Sequence, residues 1–286
     1  MKKFLSFLLG ILFLGNLNAQ NEKVIYLLCR GDDIGSSHAA NEACIMSYKE
    51  GIMQSVEIMA PCAWYPEAVR LLKENPGLDV GIHLTITSEW NEYKWRPLTC
   101  CPSLVDSYGY FYPMIWQRDD FPKGTALHDA KWKIEEIEQE FRAQIERVKR
   151  DIPWVSHLGC HMGCGSCDPR IAELEKKLAR EYDLDIDPGE YGVEYTGLWS
   201  QNDSTSMLRI QSTLTTLRKL KPGKYLFIDH PGMNTPEMQA IWHTGYYGVA
   251  ADRAAVTQVF CSAEVKTLIN ELGIKLISYA DLKKLR

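Results

Sequence analysis

The chain has 286 residues, of which 45% are hydrophobic and 24% charged, the balance of an ordinary folded protein. Thirteen prolines and 20 glycines exclude a fibrous or disordered chain, and this length can bury a core without cross-links. A formal net charge of −5, with no basic tract beyond the N-terminus, argues against nucleic acid as a partner.

Met1-Lys2-Lys3 is a short positive start, residues 4–15 are almost wholly apolar, and Ala19 places a small residue before Gln20. That is the pattern of a cleaved secretory signal over 1–19, in a run too short for a comfortable membrane span. The protein is therefore expected to be exported, periplasmic or secreted, without stable membrane insertion. Residues 20–286 are expected to form a single domain. Export permits disulfides, yet nine cysteines is an odd number, so at least one thiol stays unpaired or some bind metal.

Residues 24–29 (VIYLLC) read as a buried parallel strand ending at Arg30-Gly31-Asp32-Asp33. A helix is predicted over 38–50, capped by Ser36 or Ser37. A strand follows at 55–59, then a helix at 65–73 stopped by Asn75-Pro76-Gly77, then a strand at 80–86. Residues 87–130 break the rhythm with Trp90, Trp95, Trp116, Tyr108, Tyr110, Phe111, Tyr112 and four prolines. So long an aromatic insertion reads either as a substrate wall or as a small subdomain packing its own rings. Residues 131–150 form a helix laced with charge pairs. A short strand is predicted at 154–158, a helix at 170–181, a strand at 182–186, a loop at 187–204 and a helix at 208–220. The strand 225–229 (YLFID) ends at His230-Pro231-Gly232. A helix over 250–272 and a strand over 275–279 complete the chain. About seven strands alternating with helices predict a parallel α/β fold, either a barrel or a doubly wound sheet. No glycine-rich dinucleotide loop follows the first strand.

Polar residues gather at the ends of these strands, where parallel α/β folds place their sites. Asp32 and Asp33 follow the first strand, His83 sits late in the third, His157 and His161 flank another, and Asp229 and His230 end a late one. Adjacent carboxylates can point apart, one toward a cation and one toward a proton, although a solvated acidic turn reads the same way. His83 lies in the apolar stretch GIHLTIT, where a satisfied core histidine is the plain alternative to a ligand. His157 and His161 are four apart, but Gly159, Gly163 and Gly165 argue against a regular helix that would align them. Leu158 stands where an HExxH peptidase would carry glutamate. His230 is fixed by the turn after it and suits a general acid or base, with Asp229 able to orient it unless the two neighbours point apart. Cys160, Cys164 and Cys167 have the C-x3-C-x2-C spacing of a radical-enzyme iron–sulfur site. A structural zinc, a disulfide or free thiols are the other readings.

These residues carry a resemblance. The chain resembles the YdjC-like carbohydrate deacetylases, also called the ChbG/HpnK family, relatives of the polysaccharide deacetylases. The family's ADDFG-like motif reads Gly31-Asp32-Asp33-Ile34-Gly35 here, and a matching Asn41 follows. Its ENPGLxVGIHLTLT segment is residues 74–87, nearly verbatim. Its THxDSHxH segment is met more loosely by residues 156–163, its HPG by His230-Pro231-Gly232, and the match runs on to the C-terminal ISYADL. The resemblance implies a distorted, incomplete (β/α) barrel. It implies Asp33, His83 and His161 as metal ligands, Asp32 as catalytic base and His230 as general acid. It implies a divalent metal, zinc first and magnesium as the alternative. The implied activity removes acetyl groups from N-acetylated sugars such as small chitin oligosaccharides, releasing acetate. Trp90, Trp95 and Trp116 could stack on sugar rings. A homo-oligomer is compatible with all of this. Two positions depart from the family: Gly159 stands where it usually has Asp, and Gly163 where a second His is common. The rival expectations are another metal-dependent amidase or O-deacetylase, and a glycan-binding protein that keeps the fold without turnover.

Overall fold

Seven parallel strands carry the computed structural model, which describes residues 24–285. The signal-type segment 1–19 lies outside the described residues. The strands are β1 (Ile25–Ile34), β2 (Ser55–Ile58), β3 (Asp79–Leu84), β4 (His157–Cys160), β5 (Val193–Tyr195), β6 (Gly223–Asp229) and β7 (Lys275–Leu276). Their order is β4-β3-β2-β1-β6-β5, and β7 also pairs with β1. β6 occupies one edge of β1 from Ile25 to Gly31. The other edge is shared, with β7 against Tyr26 and Leu27 and β2 from Arg30 onward. Among the described residues β4 and β5 do not pair with each other, so the curled sheet stays an incomplete barrel.

Side-chain alternation gives this sheet two unlike faces. Leu27 and Cys29, Val56 and Ile58, Val80, Ile82 and Leu84, and Phe227 join the main apolar cluster. That cluster is covered by the helices α1 (His38–Lys49), α2 (Tyr65–Glu74), α3 (Ile134–Asp151), α4 (Pro169–Glu181), α5 (Ser206–Leu217), α7 (Val249–Cys261) and α8 (Ala263–Glu271), with the short α6 (Pro236–Gln239) beside them. The opposite face turns into the curl. Leu28, Val193, Leu226, Ile277 and Tyr279, which opens α9 (Tyr279–Leu282), form a smaller apolar cluster there. By the same alternation this inner face carries Arg30 and Asp32 from β1, Glu57 from β2, Asp79 and His83 from β3, and His157 from β4, all buried.

Several predicted boundaries move. β1 runs on through both aspartates to Ile34 instead of stopping before them. Residues 182–186 are not a strand. Tyr182 caps the C-terminus of α4, Asp183 takes φ +59°, and the buried Leu184 and Ile186 pack without a strand partner. The fifth strand forms inside the predicted loop instead, after Gly192 turns the chain at φ +66°. The long helix over 250–272 breaks at Ser262, whose ψ of 125° ends α7 and whose hydroxyl caps α8. β7 ends early because Ser278 and Asp281 form a capping box that starts α9. Between β3 and α3 the described chain holds two short 3-10 turns, Pro102–Leu104 and Leu127–Asp129, and two isolated β-bridges, Val105 with Phe111 and Met114 with Ala126. No helix among the described residues is long and apolar enough to cross a membrane.

Candidate active site

The two acids lie where β1 loses register. Its pairing with β2 shifts between Gly31 and Ile34, and Asp33 takes φ +70°, a left-handed conformation uncommon outside glycine. The kink sends the neighbouring carboxylates to different partners. Asp33 Oδ2 accepts from Arg253 at 2.7 Å. Asp32 meets Arg30 at two points, 2.7 Å and 2.9 Å. Asn41 Oδ1 accepts from the backbone N of Gly35 at 2.6 Å and fixes the turn that follows.

His83 comes from β3, and His161 opens the turn after β4. His83 Nε2 lies 3.6 Å and His161 Nδ1 3.4 Å from the same Asp33 Oδ1. One ligand atom from each of the three buried residues lies within 4.8 Å of the others. Asp33 Oδ1 and His161 Nδ1 have no hydrogen-bond partner. The opposite ring nitrogens are both held by carboxylates: Glu57 at His83 Nδ1, and Glu89 at His161 Nε2, 2.9 Å away. Outer carboxylates of this kind fix which imidazole nitrogen keeps its lone pair. Unsatisfied buried atoms that face one another, with the rings pinned from behind, fit a divalent cation.

The charged groups of the site also shift one another. Burial alone would raise the Asp33 carboxyl, but Arg253, His230 and His161 outweigh it and hold the group well below the usual range. Burial would lower the His161 ring, but Glu89 and Asp33 push it up to about 10. A second trio, Asp32, Glu57 and His83, is equally close. There the positive charge is the protein's own, because the Arg30 guanidinium pairs with both acids.

His230 follows β6, one residue beyond the Asp229 that pairs with Gly31, and 42% of its side chain is exposed. Asp229 Oδ1 accepts from the His230 backbone N at 2.7 Å and lies 3.5 Å from its Nδ1, so the neighbours do not point apart. Burial lowers the His230 pKa, and the charge of Asp33 and the hydrogen bond to Asp229 more than restore it, for a net rise. Pro231 packs over β1: a Cβ on Gly31 would meet its ring at 3.3 Å.

His157 stays out of the trio. Its ring covers Gly81, where a Cβ would lie 2.6 Å from two ring carbons, and it stacks on Tyr279 at 3.6 Å and 3°. A disulfide joins Cys160 to Cys164 on either side of His161, and Cys167 is a buried free thiol. Of the three tryptophans expected to stack on sugar rings, two are buried. Trp90 and Trp95 are buried, Trp90 beneath the Arg253 guanidinium and Trp95 edge-on to His161 at 5.9 Å. They brace the site from below. Trp116 is exposed, with its ring 4.5 Å from that of His128.

Four contributors escape a reading of strand ends. Glu57 had a signal, a lone charge inside an otherwise apolar strand. Glu89 follows β3 closely and had a weaker one. Arg30 stood beside the acids without an evident partner. Arg253 lies on a helix remote in sequence, and nothing in its surroundings marks it.

The YdjC-like protein family matches residues 26–271. A carbohydrate deacetylase of Listeria welshimeri is 32% identical over 270 residues, covering 90% of this chain and 99% of its own. A chitooligosaccharide deacetylase of Yersinia enterocolitica is 26% identical over 277 residues, covering 89% and 98%. A crystal structure from Enterococcus faecalis V583, assigned to cellobiose-phosphate cleavage, superposes with a TM-score of 0.70 at 22% identity, covering 91% of this chain and 99% of its own. That likeness extends to the fold.

Proposed function

The chain belongs to the YdjC-like protein family, and from that footing we propose that it is a metal-dependent carbohydrate deacetylase that removes acetyl groups from N-acetylated sugars or oligosaccharides. The carbohydrate deacetylase relatives support sugar deacetylation. One observation carries the metal: Asp33 Oδ1, His83 Nε2 and His161 Nδ1 converge, two of them without hydrogen-bond partners, while carboxylates hold both rings from behind. Two imidazoles and a carboxylate suit zinc first, with magnesium the alternative. Bound there, a divalent ion supplies a Lewis acid for the amide carbonyl and lowers the pKa of water.

The protein's own groups supply the proton transfers. Asp32 Oδ2 lies 4.0 Å from His83 Nε2, beside the trio. Arg30 occupies part of the acceptor capacity of this carboxylate and fixes its orientation, which leaves lone pairs for a proton from the attacking water. His230, at the open side of the site and oriented by Asp229, gives a proton to the departing sugar nitrogen. The products are acetate and a free amino sugar. The signal-type pattern over 1–19 supports an exported enzyme, periplasmic or secreted.

The test is metal content of the purified protein paired with acetate release from N-acetylated and O-acetylated sugars. Wild type is expected to hold one ion per chain and release acetate from N-acetylated oligosaccharides, and His83→Ala to lose both. Full metal occupancy in His83→Ala would remove His83 as a ligand. Acetate from O-acetyl sugars alone would replace the amide with an ester. Glycan affinity with no turnover, unchanged in Asp32→Asn, would leave a binding protein.

A further inference from the structure

Glu57 is the only charged residue of β2, and it is fully buried. Its Oε1 pairs with Arg30 and lies 3.4 Å from His157 Nε2, and its Oε2 meets His83 Nδ1. β2 and β4 flank β3, with Glu57 in register with Gly81 and His83 in register with Gly159. The carboxylate therefore reaches across β3 toward β4. The space it fills is open only because residue 159 is glycine. A Cβ there would lie 2.5 Å from Glu57 Cδ and closer still to both oxygens. A side chain at 159 and the carboxylate of Glu57 exclude each other.

We propose that Glu57 is the positioning residue for His83, a carboxylate delivered from β2 into the place left empty at Gly159. This rests on the reading of His83 as a metal ligand. Position 159 is also where the resemblance sets an aspartate, so the glycine moves the carboxylate to another strand without removing it from the site. The chemistry is directional. Arg30 can only donate, so Oε1 must accept from it. Oε2 then accepts from His83 Nδ1–H, and the lone pair of Nε2 is left facing Asp33 Oδ1. The proton on Nδ1 is what makes His83 a competent ligand.

Glu57→Gln tests this with the volume kept. Its amide oxygen must turn to Arg30, so its NH2 faces His83 Nδ1 and drives the ring proton to Nε2. Full-length wild type, Glu57→Gln, Glu57→Ala and the double variant Glu57→Ala/Gly159→Asp would be compared by two measurements. One is the ring-nitrogen NMR shifts of neutral His83 in metal-free protein. The other is calorimetric titration with zinc. We expect the proton on Nδ1 in wild type and on Nε2 in Glu57→Gln, with zinc affinity about 10–100-fold weaker in the variant. The double variant is expected to recover most of the affinity lost in Glu57→Ala. An unchanged tautomer and affinity in Glu57→Gln overturns the proposal, as does a folded double variant no better than Glu57→Ala. If the alanine variants fail to fold, Glu57→Gln decides. A wild type that binds no zinc would sink the metal reading, while the His83 tautomer would still decide what Glu57 does.

Discussion

Asp33 combines two unfavourable features, a left-handed backbone and a buried charge. Neither persists without surroundings that enforce it. Arg253 holds one oxygen, and the other is left facing two imidazoles. His161 is the complementary case. Its folded pKa, about 10, lies above the ordinary 6.5. In the metal-free chain its charged ring therefore adds stability that is complete below pH 6.5 and is lost as the pH rises through about 10. Nδ1 must shed its proton to hold a cation, so zinc uptake at neutral pH should release about one proton per ion from this residue. Calorimetry in two buffers of different ionisation enthalpy measures that release. Glu89→Gln removes a charge that keeps the ring protonated and should reduce it. Zinc binding without proton release would show the ring already neutral.

Among the elements, α4 shows how the site strains its supports. The helix starts on an Asp168 cap and buries Ile171, Leu174 and Leu178. The same packing carries Glu175 inward, where its Oε2 lies 3.5 Å from Cys160 Sγ and would meet a Cβ on Gly165 at 2.7 Å. Burial, then the charge of Glu57, raise its pKa to about 7. An acid whose folded pKa exceeds its ordinary 4.5 gives stability that is full below pH 4.5 and lost as the pH rises through about 7. Glu175→Gln removes that loss. It should stabilise the chain at pH 8 by about 1–2 kcal/mol, after discounting for solvent, and change little at pH 4.5. Thermal melts at the two pH values check it, and an equal effect at both would show that Glu175 is not the titrating group.

For the whole molecule, the unequal faces of the sheet separate folding from function. The main apolar cluster is built from strand, helix and loop residues, Trp90 and Trp95 among them, while Arg30, Asp32, Glu57 and His83 lie buried on the opposite face of the sheet. Metal removal should therefore leave the fold standing. Chelation is expected to leave the far-ultraviolet circular dichroism unchanged. At free zinc about a hundredfold above Kd, binding adds about 2.7 kcal/mol. The melting temperature should accordingly fall by about 5–10 °C on chelation and return when zinc is restored. Loss of the helical signal on chelation would make the ion part of the fold.

Much of this architecture is written locally. Apolar runs ending in Asp32-Asp33, at His83 and at His230 mark strand ends, and parallel strands bring their ends to one side, so these residues were legible as a site. Alternation was legible too: Asp79, Gly81 and His83 share one face of β3, and Val80, Ile82 and Leu84 the other. What the chain could not disclose locally were the pairings made across the sheet. Arg253 reaches Asp33 from 220 positions away. Glu57 finds its place through an absent side chain on β4. His157 is drawn away from Asp33, His83 and His161 onto Tyr279, which is brought there by the last helix. The strand near 182–186 failed because apolar periodicity reports burial and not whether a neighbouring strand offers hydrogen bonds. Propensity and pattern act over a few residues, whereas a charge buried in a sheet is settled by whichever partner the closed fold delivers to it.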